Sequence, residues 1–344
     1  MAPETKVLAH DSFARCGKLF RMVRVGVDEG VREELLRGFP AETVFVRIPT
    51  KPTELVEVDF WLLPFFRKDA AQVFQNLCGV KVVQSMMAGV DWILPWLPKD
   101  VTLCDGRGIH DTSTSEYVLA AILASLKRFP IYRDRQLRQL WRSGEATGDE
   151  LLDSGGANTS LYRVLQDDLS GKTVLIAGYG AIGAAIEKRL KAFDVNVLRL
   201  ARSARVEPLV HPVTALRELL PQADVVVLIV PMTQETKGLV GEEELALMKR
   251  GALLVNASRG PVVVTDALVV ALQEGRIRAV LDVMDPEPLP EGHPLWTAPN
   301  CMITPHIGGA TPQFIHRGFR LAAEQVRRFA AGEPLDNVVE DDGY

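Results

Sequence analysis

Apolar positions along this chain gather into short runs, and amphipathic stretches fill the intervals between them. In the first third, residues 24–27, 43–48, 60–63, 80–84 and 101–104 read as strands, and residues 28–37 and 70–77 as helices. In the second half, strands are expected at 173–177, 195–200, 224–230, 252–256, 278–283 and 302–304, with helices between most of them. Short apolar runs alternating with amphipathic stretches predict parallel sheets covered by helices. The fold class is therefore α/β, and the second half has the doubly wound pattern.

Between the two units the pattern changes. Residues 113–128 form a long, largely apolar helix, with Thr112 or Ser113 as N-cap and Glu116 in its first turn. Its length suits a helix that links two domains. Residues 131–142 read as a second helix, and 144–158, rich in Gly, Asp and Ser, as an exposed loop. A last helix at 312–331 follows the final strand and is expected to cross back onto the first unit. That makes one domain discontinuous, residues 1–112 plus 310–344, and leaves 113–309 as the other. The segment before residue 21 fits neither unit and reads as an extension. No short-period repeat or low-complexity tract appears.

Composition narrows the function classes. The chain has 344 residues, 47% hydrophobic and 24% charged, which suits a globular protein of two domains. Its formal charge of −5 argues against nucleic acid or a membrane surface as the main partner. No apolar signal segment is expected in residues 1–20, and the apolar run at 225–232 is too short to span a bilayer. Cys16, Cys78, Cys104 and Cys301 are scattered, which predicts reduced thiols in a cytoplasm and no metal site.

The most informative stretch runs from Thr173 to Gly183. An apolar run leads into Gly178-Tyr179-Gly180-Ala181-Ile182-Gly183, and residues 184–193 continue as a helix. In such a G-x-G-x-x-G, Gly178 allows a tight turn, Gly180 lets backbone approach a pyrophosphate, and Gly183 lets the helix pack on the strand. The free N–H groups of the helix start face the phosphates. A purely structural glycine turn is the alternative, and the strand before and helix after favour a dinucleotide.

The next strand ends in Ala201, Arg202, Ser203 and Arg205. NAD sites place Asp or Glu in this region to bind the ribose 2′-hydroxyl. Two guanidiniums and a hydroxyl suit a 2′-phosphate instead. NADP(H) is therefore expected, with NAD(H) as the alternative and a solvated basic turn as the reading without function.

Three ionisable residues lie just past three strand ends: Arg259, Glu287 and His306. Ligands of open α/β sheets bind there, so the three can share one crevice. Oxidising a 2-hydroxy acid removes a hydride from C2 and a proton from its hydroxyl. A histidine exchanges that proton near neutral pH, and a carboxylate on its other nitrogen fixes the tautomer. An arginine fork binds the substrate carboxylate and polarises the reacting oxygen. Singly, each residue has the plainer reading of a surface group. Of the other histidines, His10, His211, His293 and His316 read as structural or exposed, and His110 alone can reach the cleft.

These motifs, taken in order, resemble the D-isomer-specific 2-hydroxyacid dehydrogenases, of the glyoxylate/hydroxypyruvate reductase and phosphoglycerate dehydrogenase kind. The resemblance covers residues 80–335 and rests on Ala88-Gly89-Val90-Asp91, the glycine fingerprint, Val230-Pro231 with Thr233 and Thr236, Asn256 to Gly260, Asp282 to Leu289, His293-Pro294-Leu295-Trp296 and Thr304-Pro305-His306. It implies two Rossmann-like doubly wound domains with a cleft between them. It implies Arg259 as substrate anchor, His306 as acid/base with Glu287 as its partner, and Asp282 on the nicotinamide carboxamide. The backbone of Ala88, Gly89 and Val90 would meet the substrate carboxylate. Thr114, Gly178, Gly180, Ala181, Ile182, Gly183, Val230, Pro231, Thr236, Ala257 and Gly308 would line the cofactor. A homodimer built through the cofactor domain is expected. Formate dehydrogenases differ at the glutamate position.

Two departures concern the substrate. Phe65, in Leu63-Pro64-Phe65-Phe66, stands where some relatives place a polar contact, and His110 where some place asparagine. The leading expectation is NADPH-dependent reduction of a small 2-keto acid such as glyoxylate or hydroxypyruvate. The alternatives are a dehydrogenase of another oxyanion or a bulkier keto acid, and a nucleotide-sensing, corepressor-like binding protein.

Overall fold

A computed structural model of the protein describes residues 22–65, 67–141 and 166–340; the loop expected at 144–158 lies outside them. The first sheet uses β1 (Val23–Asp28), β2 (Thr43–Ile48), β4 (Phe60–Leu63), β6 (Val82–Ser85) and β7 (Thr102–Cys104), in the order β2-β1-β4-β6-β7. Two short strands the pattern did not reveal, β3 (Val56–Glu57) and β5 (Leu77–Cys78), pair beside it. The second sheet uses β8 (Thr173–Ala177), β9 (Asn196–Ala201), β10 (His211–Pro212), β11 (Val225–Leu228), β12 (Leu253–Asn256), β13 (Arg278–Leu281) and β14 (Cys301–Ile303). Their order is β10-β9-β8-β11-β12-β13-β14, and every pairing is parallel. The chain reverses direction across the sheet between β8 and β11, the switch point where such sheets bind ligands.

Side chains on these strands alternate between two cores, as the period of two requires. Leu175, Val226, Leu228, Leu254 and Leu281 face the helices Glu242–Leu247 and Thr265–Gln273. Val174, Ile176, Val225, Val227 and Val280 face the helix Ala181–Leu190 and the linking helix Asp111–Leu126. Both faces are buried, which is why the strands read as unbroken apolar runs.

The C-terminal helix Pro312–Ala331 puts Phe319, Ala322 and Val326 into one core with Val23, Val25, Phe60 and Val82 of the first sheet. A buried amide ties down the segment after it. Gln325 Nε2 donates to Gln84 Oε1 at 3.1 Å and to Asp336 O at 2.6 Å, and its Oε1 accepts Asp336 N–H at 2.9 Å.

Element boundaries differ from expectation where turns intervene. The first helix contracts to Glu33–Leu36, because Val31 N–H closes a turn onto Asp28 O. The second stops at Phe74, where the backbone leaves to form β5. The linking helix begins after His110, not Thr112 or Ser113; the Ser113 hydroxyl donates to the carbonyls of His110 and Gly309. Its follower spans Phe129–Leu137, set off by left-handed Arg128 (φ 56°) and by Pro130 in its first turn. Cys104 and Cys301 are thiols that burial pushes up to about 12. Among the described residues, no helix is long and apolar enough to cross a membrane.

Gln325→Leu tests the C-terminal tie. It leaves buried Gln84 Oε1 without this partner and frees the backbone of exposed Asp336, and the expected loss is about 2 kcal/mol, read as a shift of the urea midpoint at constant slope. An unchanged midpoint would show that the tie contributes nothing.

Candidate active site

Register across the second sheet places five strand ends level. Ala177 pairs with Leu228, Leu228 with Asn256, Asn256 with Leu281, and Leu281 with Ile303. Whatever follows these residues therefore emerges along one edge: the glycine loop, Ile229-Val230, Ala257-Ser258-Arg259, Asp282 and Thr304-Pro305-His306.

At the switch point the glycines meet distinct demands. Gly178 has φ +108°, and a Cβ there would lie 2.4 Å from Ile229 O. At Gly183 a Cβ would lie 2.7 Å from Gly178 O, so the helix could not sit as close to β8. Gly180, just before the helix Ala181–Leu190, has open space over it. That space, the bare backbone and the N–H groups of Ala181 and Ile182 at the helix start fit a dinucleotide pyrophosphate. No carboxylate ends β9; Ala201 does, and Arg202, Ser203 and Arg205 beyond it are exposed. The Thr236 hydroxyl donates to Pro231 O at 2.6 Å and accepts Thr233 N–H at 2.8 Å, so it shapes the loop after Val230. Ala257 N–H continues the ladder to Leu228 O at 3.1 Å.

Past β12, Asn256 folds the turn that carries Arg259. Its Oδ1 accepts Ser258 N–H at 3.1 Å and Oγ–H at 2.7 Å, and its Nδ2 donates to Arg259 O at 3.0 Å. The Arg259 guanidinium lies directly over Gly89, where a Cβ would be 1.7 Å from Nη2. Nη2 also donates to Asp91 Oδ1 at 3.3 Å, and Nη1 to Ser258 O at 2.9 Å. The Ala88-Gly89-Val90 loop and Arg259 thus adjoin; the Val90 side chain is buried. A Cβ on Gly260 would lie 2.0 Å from Met284 O, so the Arg259 segment packs backbone to backbone on the segment leading to Glu287.

Past β13, the Asp282 carboxylate collects the segment that follows β14. Oδ1 accepts Thr304 Oγ1–H at 2.7 Å and Ile307 N–H at 2.9 Å, and Oδ2 accepts Gly308 N–H at 2.8 Å. The Asp282 carbonyl accepts His306 N–H at 2.7 Å. These bonds hold His306 at φ 54°, an unusual value for a residue other than glycine. The His306 imidazole then meets Glu287, with Nδ1 to Oε1 at 2.7 Å. With Nδ1 facing the carboxylate, Nε2 is turned to other chemistry.

His110 stands between two backbone carbonyls, with Nε2 at 3.2 Å from Met86 O and Nδ1 at 3.4 Å from Gly309 O. Burial holds its imidazole below the ordinary value despite those carbonyls. The neutral ring has one N–H and donates to one of them. His110 therefore links the loop before Ala88 to the loop after His306. Phe314 stacks on it at 5.3 Å between ring centroids, and Phe65 meets Phe314 edge-on at 4.3 Å. Thr114 is buried beside Gly309, 3.6 Å from where its Cβ would be.

Sequence reasoning missed Asp91, Tyr117, Phe314 and the packing role of Gly260. Tyr117 OH lies 2.6 Å from Thr304 Oγ1, beside the Asp282 network. Asp91 and Gly260 lie inside motifs already singled out, but what each does depends on a segment distant in sequence; Tyr117 and Phe314 carry no local signature.

A family model described as D-isomer specific 2-hydroxyacid dehydrogenase, NAD binding domain, matches residues 119–308. A glyoxylate reductase of Thermofilum pendens is 36% identical over 280 residues, covering 76% of this chain and 76% of that protein. A D-3-phosphoglycerate dehydrogenase of Methanocaldococcus jannaschii is 39% identical over 341 residues, covering 92% of this chain and 59% of that protein. Among solved structures, an NADPH-dependent glyoxylate/hydroxypyruvate reductase of Sinorhizobium meliloti, in complex with NADP and sulfate, superposes with a TM-score of 0.77 at 27% identity, over 94% of this chain and 100% of that one.

Gly260→Ala tests the packing between the Arg259 and Glu287 segments. The new methyl meets backbone, which cannot yield by rotating a side chain. Turnover should fall about 100-fold, the scale of a 1 Å misplacement of reacting groups, while the far-ultraviolet spectrum is kept. Turnover at the wild-type level would show that the two segments separate freely.

Proposed function

Because this chain belongs to the D-isomer-specific 2-hydroxyacid dehydrogenase family, we propose that it transfers a hydride between NADP(H) and a small D-2-hydroxy acid or its 2-keto form, with glyoxylate and hydroxypyruvate as leading substrates. The observation that carries this reading is the His306–Glu287 contact at 2.7 Å. It leaves one imidazole nitrogen for a substrate oxygen and commits the other to a carboxylate.

The bound dinucleotide supplies or accepts the hydride. In reduction, His306 Nε2 donates a proton to the keto oxygen as it gains negative charge; in oxidation it takes the hydroxyl proton. Glu287 keeps the other nitrogen protonated and stabilises the imidazolium. Arg259 binds the substrate carboxylate and polarises the reacting oxygen, and the backbone of Ala88, Gly89 and Val90 completes that cradle. Phe65 and His110 bound the substrate side. Asp282 places the His306 segment, and its Oδ2 would also receive the nicotinamide carboxamide. Thr114, Val230, Pro231, Thr236, Ala257 and Gly308 flank the cofactor.

NADP(H) is favoured by Ala201 at the end of β9 and by Arg202, Ser203 and Arg205 beyond it. The NADP complex of the Sinorhizobium meliloti reductase supports the same choice. Residues 1–112 with 310–344 would bind substrate, and 113–309 the dinucleotide; the C-terminal helix in the core of the first sheet supports that division. A homodimer through the cofactor unit is supported by Phe129, Leu137 and Trp141, which are 59%, 65% and 93% exposed around one helix.

His306→Ala should lower turnover by at least about 100-fold in steady-state assays with glyoxylate. Glu287→Gln should lose less. Near-wild-type turnover of the His306 variant would end the assignment.

Titration of the wild type should show NADPH bound about tenfold more tightly than NADH, the worth of one charge-assisted contact. The preference should shrink as salt rises. Equal affinities, or tighter NADH, would make the basic turn a solvated surface.

A further inference from the structure

The residue between the first two glycines carries a side chain that the glycine loop itself does not need. Tyr179 OH donates to Glu187 Oε2 at 2.5 Å, reaching along the first two turns of the helix Ala181–Leu190. Glu187, 4% exposed, also accepts Arg199 Nε at 2.7 Å and Nη2 at 2.5 Å, a two-pronged pair from β9. The Arg199 guanidinium holds the Glu187 carboxyl down at about 2, and the carboxylate in turn raises Arg199. Both stay charged at neutral pH and cancel each other. Arg199, although closest in sequence to the cofactor turn, has its charge committed here.

Arg205 is held differently. Its backbone N–H donates to Val210 O at 3.0 Å, and Val210 N–H returns the bond at 2.9 Å, fixing the loop beyond β9. Its Nη2 donates to Tyr179 O. Its guanidinium carbon lies over the Tyr179 ring, 5.5 Å from the centroid, and that of Arg199 lies 5.6 Å from it. Among the described residues, no carboxylate pairs with Arg205. A ring attracts a guanidinium without cancelling its charge, whereas a carboxylate would do both. Holding an exposed arginine in place beforehand also removes much of the entropy cost of ordering it when a ligand binds.

We propose that Tyr179 is a positioning residue for cofactor choice: its ring, locked by Glu187 and Arg199, presents Arg205 with its charge intact to the 2′-phosphate of the dinucleotide. The inference rests on the NADP(H) reading above and adds the residue through which the basic turn becomes selective.

Titration calorimetry with NADPH, NADH, adenosine 2′,5′-bisphosphate and AMP tests it without turnover. Tyr179→Leu should weaken NADPH and the bisphosphate about fivefold, the scale of one cation–π contact, and NADH and AMP by less than about twofold. Tyr179→Phe keeps the ring and should keep the preference. In a cycle with Arg205→Met, Tyr179→Leu should add no further loss, since the ring acts through Arg205. Equal weakening of all four ligands, or losses that add, would overturn the proposal. Should Tyr179→Leu not fold, Arg205→Lys, an exposed change that gives up the planar stack, decides in its place; NADPH affinity at the wild-type level would overturn it. A wild type that binds NADH as tightly as NADPH would remove the cofactor reading and this inference together. A wild type that prefers NADPH, with Tyr179→Leu retaining the full preference, would remove only the role of Tyr179.

Discussion

The parallel pairing of Ala177, Leu228, Asn256, Leu281 and Ile303 is the constraint from which the site hangs. Parallel strands run the same way, so their carboxyl ends lie on one side, and level register brings the next residues out at one height. Loops separated by dozens of residues then share an edge. A shift of one residue in any of these pairings would also send that strand's apolar side chains to the wrong core. The buried faces that stabilise the sheet therefore hold the site in register.

On that edge, contacts too close for a side chain carry much of the geometry. Gly178 touches Ile229, Gly260 touches Met284, and Gly89 lies under Arg259. The three contacts join the cofactor loop to the next strand end, the Arg259 segment to the Glu287 segment, and the Arg259 guanidinium to the Ala88-Val90 loop. At Gly178 and Gly260 rigid backbone meets backbone, a more exact spacer than a flexible side chain, which suits groups that must meet a substrate within a fraction of an ångström.

Charge is distributed by the same economy of position. Asp282, 3% exposed, has its carboxylate met by a hydroxyl and two N–H groups, so its burial is compensated and its bonds aim His306. Glu187 and Arg199 cancel each other inside the cofactor unit. Arg205 rests on an aromatic ring, and Arg259 has one long contact to Asp91. Arg205 and Arg259 thus keep more of their charge than Arg199 does, as the proposed binding of two anionic ligands would need.

Local signals in the sequence settled the α/β class, eleven of the strands to within a few residues, the glycine loop and the placement of Arg259, Glu287 and His306 after strand ends. Apolar runs and glycine spacing are properties of contiguous residues, so they are visible there. The two-residue strands β3, β5 and β10 were not visible, because strands so short exist only through the neighbour they pair with. Helix ends at His110 and Phe74 likewise depend on what the adjoining backbone must reach. Tertiary structure alone decided that Gly260 packs on Met284, that Gly89 lies under Arg259, that Phe314 stacks on His110, and that Arg199 is spent on Glu187 while Arg205 is not. Each of these is a meeting of segments far apart in the chain, and distance through space is not encoded in any local pattern.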